Sequence, residues 1–122
     1  DVTQTITVNP LTISSSPTDQ TSFAGSSTNF IISANYADSY QWQVSVDGGT
    51  LYNNIADGAE YSGTQSTTLT VKTGLDKNGY RYRVLVSKSD SGCTTLTSDS
   101  ALLTVRIKTV ITNKKITYRV DM

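Results

Sequence analysis

Apolar and β-branched residues alternate with polar residues along most of the 122-residue chain. Half-buried strands show this pattern because successive side chains point to opposite faces of a sheet. Turn residues interrupt the alternation about every eight to twelve positions, and no stretch has the period of an amphipathic helix. The alternation predicts strands over residues 2–8, 11–14, 28–35, 40–46, 66–72, 79–88 and 101–105, with a weaker strand over 51–55.

The breaks between these segments carry the residues that turns require. Pro17 interrupts the second predicted strand and favours an edge position, because proline cannot donate to the strand ladder. Asp47-Gly48-Gly49 follows the strand over 40–46 and is a strong turn signal. Short strands with this spacing indicate a β-sandwich or a β-barrel.

Trp42 lies in the middle of the predicted strand over 40–46, between Gln41 and Gln43. With polar residues on both sides, its ring is expected to point alone into the core and fill the space between two sheets. The residues predicted to build the core are Phe30, Ile32, Trp42, Leu69, Val71, Leu75, Tyr80 and Tyr82.

The segment from Leu69 to Tyr82 resembles the passage from strand E to strand F of immunoglobulin domains, where an aspartate and a small residue precede Tyr-x-Cys. The resemblance implies an all-β fold, an immunoglobulin-like antiparallel β-sandwich of about seven strands. It also implies that Tyr80 forms a tyrosine corner, with its hydroxyl bonded to the upstream backbone. The two disulfide cysteines of antibody domains align with Ile32 and Tyr82, so we expect no inter-sheet disulfide.

Several short motifs narrow the resemblance: Ala24-Gly25-Ser26, Tyr40-Gln41-Trp42-Gln43-Val44-Ser45, Asp47-Gly48-Gly49, Asn54-Ile55, Tyr61-Ser62-Gly63, Thr68-Leu69-Thr70-Val71 and Gly79-Tyr80-Arg81-Tyr82-Arg83. As a set they resemble the Ig-like repeats of large secreted surface proteins of Bacteroidota bacteria, such as gliding-motility adhesins and other proteins exported by the type IX route. The resemblance implies a module at the bacterial cell surface, with neighbouring modules of the same polypeptide as partners.

We expect three segments along the chain. Residues 10–106 form the sandwich, and residues 1–9 are either its own strand A or the end of a preceding module. Residues 107–122 form a basic β-strand or hairpin tail, because residues 106–122 carry five basic residues and one acidic residue, a net charge of +4. The tail is a docking strand, a basic patch for acidic glycans or for the acidic face of a neighbouring module, or an edge strand that its lysines protect against aggregation.

The composition removes several classes of function. The chain has no histidine, so no Ser-His-Asp or Cys-His catalytic set can form, and no glycine-rich phosphate loop precedes a lysine. We therefore expect neither enzymatic activity nor a cofactor. Ten basic residues balance ten acidic residues, which gives no global attraction to nucleic acid. No apolar stretch approaches the about 18 residues that a membrane span requires.

Three smaller features carry weaker signals. Asp47, Asp57 and Glu60 could offer oxygen ligands to calcium, but their spacing matches no known calcium loop and a solvated loop is the simpler interpretation. Cys93, the single cysteine, is either a partly buried apolar residue or a link to another chain. Asp99-Ser100-Ala101 resembles the O-glycosylation acceptor pattern of these bacteria, which makes Ser100 a candidate site.

A row of polar side chains on two neighbouring predicted strands forms the candidate binding face for sugars or proteins. It is joined by loop tyrosines, because aromatic rings can stack on sugars. The alternative is a polar face that only confers solubility. The candidate residues are Gln41, Gln43, Arg81 and Arg83, with Tyr52 and Tyr61 from the loops.

Three functions remain in competition. The first is a non-catalytic module of an extracellular surface protein, acting as an adhesin repeat or a structural spacer. The second is a carbohydrate-binding accessory module of a secreted polysaccharide-degrading enzyme. The third is a C-terminal segment for export or surface anchoring, carried by residues 107–122.

Overall fold

The computed structural model describes residues 10–88 and 94–107. Within these ranges the chain forms eleven short strands and a single turn of 3₁₀ helix, Leu75–Lys77. Cys93, the predicted strand over 2–8 and the tail beyond residue 107 lie outside the described residues. The strands are β1 Thr12–Ser15, β2 Gln20–Phe23, β3 Ser26–Ile31, β4 Ser33–Asn35, β5 Ser39–Ser45, β6 Asn53–Asn54, β7 Tyr61–Ser62, β8 Thr68–Thr73, β9 Arg81–Lys88, β10 Thr94–Thr97 and β11 Ala101–Arg106.

The strands form two layers. The front sheet has the order β2-β11-β9-β5-β6, and β10 also pairs with β9. The back layer contains the sheet β3-β8-β7 and the pair β1-β4. β3 and β4 are parts of one extended segment that is interrupted at Ile32, whose N–H donates to the carbonyl of Thr67 at 2.9 Å. The predicted all-β sandwich is confirmed, with more and shorter strands than the sequence pattern indicates.

The core lies between the two layers and follows the period-two alternation. On β9, Tyr82 and Val84 are buried, whereas Arg81 and Arg83 between and beside them are partly exposed. Trp42 on β5 is fully buried. The buried apolar residues are Phe30, Ile32, Trp42, Ile55, Leu69, Val71, Tyr82, Val84, Val86, Ala101, Leu103 and Val105.

Two residues predicted for the core are not fully buried. Leu75 is 49% exposed, because the chain leaves β8 at Gly74 and turns into the 3₁₀ helix, which ends the strand alternation. Tyr80 is partly buried against the core, but its hydroxyl forms no hydrogen bond with any described residue. Among the described residues, the implied tyrosine-corner bond is therefore not formed. Backbone bonds close this corner instead: Gly79 donates to the Leu103 carbonyl at 2.8 Å, and Leu103 donates to the Tyr80 carbonyl at 2.9 Å.

The chain changes layers between β1 and β2, across a segment that contains the buried Pro17. β1 pairs antiparallel with β4 in the back layer, whereas β2 pairs parallel with β11 in the front sheet. Side chains of the crossing segment hold it in place: Ser16 accepts from the N–H of Asp99, and Asp19 accepts from the N–H of Leu102 at 2.8 Å. One strand pair thus departs from an otherwise antiparallel architecture in the described part of the chain.

The loop that precedes β8 requires glycine at position 63. Gly63 has a φ of 70°, and a Cβ there would collide with the carbonyl oxygen of Thr68. The turn places the carbonyl of Thr64 within 2.8 Å of the Trp42 N–H. The same loop offers the Ser66 carbonyl to the indole Nε1 of Trp42, also at 2.8 Å. The glycine therefore lets the loop fold back and satisfy the buried tryptophan.

Candidate functional site

The front sheet presents a polar outer face that results from the same alternation as the core. Arg81 and Arg83 are separated by the inward-pointing Tyr82, so they share the outer face of β9. The register between β5 and β9 places Gln43 directly opposite Arg83. The register between β5 and β6 places Asn54 opposite Gln43. Three neighbouring strands thus contribute one polar row.

Hydrogen bonds and stacking connect this row. The Nε of Arg83 donates to the Oε1 of Gln43 at 2.8 Å, and the Nε2 of Gln43 donates to the Oδ1 of Asn54 at 2.8 Å. The guanidinium carbon of Arg83 lies 3.9 Å from the ring centroid of Tyr52, which is a close cation–π contact. We call Gln43, Tyr52, Asn54, Arg81 and Arg83 the arginine face.

Arg81 is a member of the arginine face that lacks a hydrogen-bond partner in the described part of the chain. Its Nε is buried and has no hydrogen-bond partner among the described residues. A Cβ at Gly49 would lie 3.2 Å from the Cδ of Arg81 and 3.5 Å from the hydroxyl of Tyr52, so the glycine makes room for both side chains. Within residues 10–88 and 94–107, neither Arg81 nor Arg83 has a carboxylate partner.

Gln41 lies on the same outer face but braces a loop. Its Nε2 donates to the carbonyls of Trp42 and Ile55, both at 2.8 Å, and its Oε1 accepts from Gln65 at 3.3 Å. Beside it, a groove of about 610 Å³ runs along β5, β9 and β10. Asn54 lines this groove and also bonds to Gln43, so the groove continues into the arginine face.

Tyr61 was predicted to lie on the binding face, but the structure places it on the other layer. Tyr61 lies on β7, where it pairs with Val71 of β8. Its side chain points toward the core, and its hydroxyl lies 3.1 Å from the hydroxyl of Tyr82. The sequence pattern could not assign it to a layer because β7 has only two residues, too few to show alternation.

Tyr82 occupies the position that aligns with a disulfide cysteine, and it connects the two layers by aromatic packing. Its ring centroid lies 5.0 Å from that of Phe30 and 6.0 Å from that of Tyr61, the second contact being edge-on. Burial raises the pKa of Tyr82 well above its usual range, and the hydrogen bond with Tyr61 raises it further. Burial likewise raises the pKa of Tyr61. Both hydroxyls therefore stay protonated and hydrogen-bonded at neutral pH.

Lys77 lies beside this tyrosine pair with only 4% of its side chain exposed. Its ammonium forms an ion pair with Glu60 and lies 5.8 Å from the ring centroid of Tyr61. Burial acts to lower the pKa of Lys77, but the hydrogen bond with Glu60 and the charges of Asp76 and Glu60 outweigh burial and raise it. The residues around Tyr61 thus hold a structural ion pair, which the sequence pattern did not indicate.

The carboxylates considered for calcium brace their own turns. The Oδ1 of Asp47 accepts from the hydroxyl of Ser45 at 2.7 Å and from the N–H of Leu51 at 3.0 Å. The Oδ1 of Asp57 accepts from the N–H and the hydroxyl of Thr64 at 3.0 and 2.7 Å. The part of the chain that the structure describes contains no cluster of three acidic, histidine or cysteine side chains that could hold a metal ion. The simpler interpretation, in which these carboxylates stabilise loops, fits the geometry.

Acid is expected to destabilise the protein through these carboxylates. The hydrogen bond from Lys77 and its charge lower the pKa of Glu60 below the ordinary value of 4.5. Hydrogen bonds from the Leu51 backbone and from Thr64 lower the pKa values of Asp47 and Asp57 below 3.8. Because the unfolded chain binds more protons than the folded one, this stabilisation is present at neutral pH and is lost as the pH falls below about 4.5. Urea unfolding measured between pH 7 and pH 3 checks this, since a flat profile would contradict it.

The Glu60→Gln variant isolates the ion pair in the same experiment. It is expected to be less stable than the wild type at pH 7, with a difference that shrinks in acid as Glu60 of the wild type takes up its proton. Asp99→Asn is the matched control, because it removes the same charge from an exposed carboxylate with no partner among the described residues. A Glu60→Gln difference that stays constant with pH would show that the ion pair does not contribute.

Ser100 lies in the exposed connection between β10 and β11. Its backbone and side chain are accessible there, as modification by a glycosyltransferase requires. O-glycosylation at Ser100 stays a prediction from the sequence.

Several solved structures that are similar to this chain are immunoglobulin domains. The structure named Duf (Kirre) D1 has a TM-score of 0.61 at 19% identity, and the match covers 82% of this chain and 100% of that chain. The IG27 protein domain has a TM-score of 0.58 at 16% identity, covering 81% and 100%. The titin Ig tandem domains A164-A165 have a TM-score of 0.57 at 17% identity, covering 78% and 46%. These likenesses show the fold, which is immunoglobulin-like.

Comparisons with curated proteins and with family models bear on the identity of the chain. No curated protein matches it. In residues 10–88 and 94–107, no helix has the length and apolar character that crossing a membrane requires. A family model described as a domain of unknown function, DUF8696, matches residues 9–107. Because this match covers most of the chain, the protein belongs to the DUF8696 family of domains, with an immunoglobulin-like fold.

Proposed function

We propose that this protein is a non-catalytic immunoglobulin-like module of a large extracellular bacterial surface protein, in which it acts as a structural spacer or an adhesin repeat. The observation that carries the proposal is the path of the chain, which enters the sandwich at one end and leaves it at the opposite end. Modules with this path can be joined in series without a long connection.

The strand registers define the two ends. Thr12 at the start of β1 pairs with Asn35, the last residue of β4. At the other end, the carbonyl of Arg106 accepts from the N–H of Ala24, just before β3 begins at Ser26. The extended segment β3–β4 runs the length of the sandwich between these points, about 30 Å for ten residues. The described chain therefore traverses the module from one end to the other.

Exposed apolar side chains gather where the chain leaves the sandwich. Phe23, at the end of β2, is 46% exposed, and Ile107, directly after β11, is 66% exposed. Leu75 follows β8 at the same end, where Gly25 bonds to the Thr73 carbonyl at 2.7 Å, and it is 49% exposed. Apolar residues grouped on a surface are typical of contacts with another protein unit. This supports a contact with a following module.

Comparisons and composition support the remaining parts of the proposal. Matched structures include Sidekick-1 immunoglobulin domains 1-5 and the titin tandem, of which this chain covers 20% and 46%. Immunoglobulin-like domains of this shape thus occur in arrays. The motifs similar to Bacteroidota surface repeats support a bacterial surface origin, and the lack of histidine in the sequence supports a non-catalytic role.

Labelling of intact cells tests the location. Antibodies raised against the purified chain are expected to label intact cells of the source organism, and protease treatment of those cells should remove the label. An antibody against a cytoplasmic protein is the control for cell integrity. Labelling that requires permeabilised cells would overturn the surface assignment.

The second candidate, a carbohydrate-binding accessory module, is favoured by the groove and the arginine face. The complete gene separates the two candidates. Further copies of the Tyr-Gln-Trp-Gln motif beside this domain would favour the array, whereas a polysaccharide-degrading catalytic domain would favour the accessory module. The third candidate, export or anchoring by residues 107–122, falls on residues beyond 107 that the structure does not describe and stays a prediction.

A further inference from the structure

The arginine face contains more hydrogen-bond donors than its neighbours can satisfy. Arg81 and Arg83 are two positions apart on one face of β9, so their backbones are separated by about 7 Å. Each guanidinium carries five N–H groups. Arg83 uses its Nε on Gln43, and the Nε of Arg81 is buried without a partner among the described residues. A buried donor without an acceptor is costly. Arg81 thus lacks the internal bonds that hold Arg83, and its terminal N–H groups have no hydrogen-bond partner among the described residues.

We propose that the outer face of the front sheet binds an acidic oligosaccharide, whose uronate carboxylate is held by Arg81 and Arg83 and whose neutral sugars occupy the adjacent groove. The planar fork of a guanidinium matches a carboxylate in a bidentate geometry, and the described residues contain no carboxylate paired with either arginine. This inference rests on the proposed function and specifies the ligand of an adhesin repeat.

Arg83 is held in place before any ligand arrives. Gln43 accepts from its Nε, and the ring of Tyr52 supports its guanidinium at 3.9 Å. Gln43 is fixed in turn by its bond to Asn54. A preorganised side chain loses little conformational freedom on binding, so more of the interaction energy contributes to affinity. The terminal N–H groups of Arg83 remain for an external acceptor.

The groove beside the arginine face has the chemistry of a sugar site. Its lining includes the amides of Gln41, Asn54 and Gln65 and the hydroxyls of Ser87 and Thr95. Amides and hydroxyls both donate and accept, as the hydroxyl groups of a saccharide do. The groove offers few apolar anchors for a peptide, since Leu85 and Tyr40 are the large apolar side chains among its lining residues. The lining therefore favours a saccharide over an acidic protein segment.

The charges along the face orient the ligand. Asp38 lines the groove at the end of β5 that is remote from Arg81. A carboxylate is attracted to the two arginines at the other end. Because the amides and hydroxyls of the groove add no positive charge, the geometry favours a saccharide in which uronates are separated by neutral sugars.

The test is a titration of the full chain with hyaluronan oligosaccharides, which alternate a uronate with a neutral N-acetylated sugar. NMR of the ¹⁵N-labelled protein is expected to show shifts at the Nε–H groups of Arg81 and Arg83 and at the side-chain amide of Asn54. Calorimetry is expected to show that the Kd of Arg83→Gln is higher than that of the wild type by about tenfold or more, because hydrogen bonds to a charged group are lost. Neutral chitin oligosaccharides should bind more weakly by a similar factor.

Two variants control for charge and for folding. Arg106→Gln removes the same charge from an exposed arginine at the end of β11 and should leave the Kd unchanged. Arg83→Lys keeps the charge but loses the planar fork, so it should weaken binding while the chain stays folded by circular dichroism. If Arg83→Gln unfolds, the NMR shifts of the wild-type protein and the Kd of Arg83→Lys still test whether the arginine face binds hyaluronan.

Three outcomes would overturn the inference. Hyaluronan that causes no shift on the arginine face would remove the site. An Arg106→Gln variant that weakens binding as much as Arg83→Gln would show unspecific attraction between charges. A polyglutamate peptide that binds as tightly as hyaluronan would point to an acidic protein partner instead. Each of these results leaves the surface labelling of intact cells unaffected, so the inference can fail while the proposed spacer function stands.

Discussion

Replacing Trp42 with alanine is expected to lower the free energy of unfolding by about 3–5 kcal/mol, the usual cost of deleting a large buried aromatic side chain. Trp42 is fully buried between the two layers. Its backbone N–H bonds to Thr64 and its carbonyl accepts from Ile55, so the main chain is held in place and cannot move inward to fill the cavity. Urea denaturation followed by circular dichroism measures the change.

Two further variants separate the contributions to this expected loss of stability. Trp42→Phe keeps an aromatic ring but removes the Nε1–H that donates to the Ser66 carbonyl at 2.8 Å. It is expected to cost about 1–3 kcal/mol, because the part-buried carbonyl of Ser66 loses its partner. Val46→Ala truncates a side chain that is 61% exposed and should stay within about 0.5 kcal/mol of the wild type. A Trp42→Ala variant as stable as Val46→Ala would contradict the assignment of Trp42 to the core.

Tyr82→Ala is expected to be similarly severe, at about 3–5 kcal/mol. Tyr82 is fully buried and packs against Phe30 of the back layer and Tyr61 of β7. These contacts join the layers at the position where antibody domains carry a cysteine of their inter-sheet disulfide. Because the chain has a single cysteine, no internal disulfide can compensate for the loss. Thermal unfolding of Tyr82→Ala, with Tyr36→Ala on an exposed tyrosine as the control, measures the effect.

The hydroxyl pair accounts for a defined part of this effect. Tyr82→Phe removes one member of the bond between the Tyr82 and Tyr61 hydroxyls, and Tyr61→Phe removes the other. Each single variant is expected to cost about 1 kcal/mol, and the double variant less than the sum, because a hydroxyl without its partner is already penalised. Strictly additive costs in this double-mutant cycle would show that the two hydroxyls do not interact.

Local alternation was sufficient for the core strands. Trp42, Leu69 and Val71 each have polar residues on both sides, and the structure buries all three. The pattern did not indicate β2, β7 or β10, and it indicated β6 only as the weaker strand predicted over 51–55. β2 has the sequence Gln-Thr-Ser-Phe, in which polar side chains point to both faces, and β6 and β7 have two residues each. Such segments become strands because a neighbouring strand supplies hydrogen bonds, which is a property of the assembled sheet.

The residues of the candidate site were likewise predictable only where alternation places them. Gln43, Arg81 and Arg83 were predicted together because alternation places them on an outer face. Asn54 was missed, since it lies in a two-residue strand and its role depends on pairing with Gln43. Tyr61 was assigned to the wrong layer because its orientation follows from pairing with β8.

Period-two alternation along the chain is enough to predict an all-β protein and most of its inward residues, because both depend on local spacing. The composition alone excludes histidine-dependent chemistry. Three other features depend on the tertiary structure: the layer that each short strand joins, the parallel β2–β11 pair, and the contact of Arg83 with Gln43 and Tyr52. Their residues lie far apart in sequence, and their positions follow from registers that form when the whole core is packed. The arginine face therefore exists only in the folded sandwich.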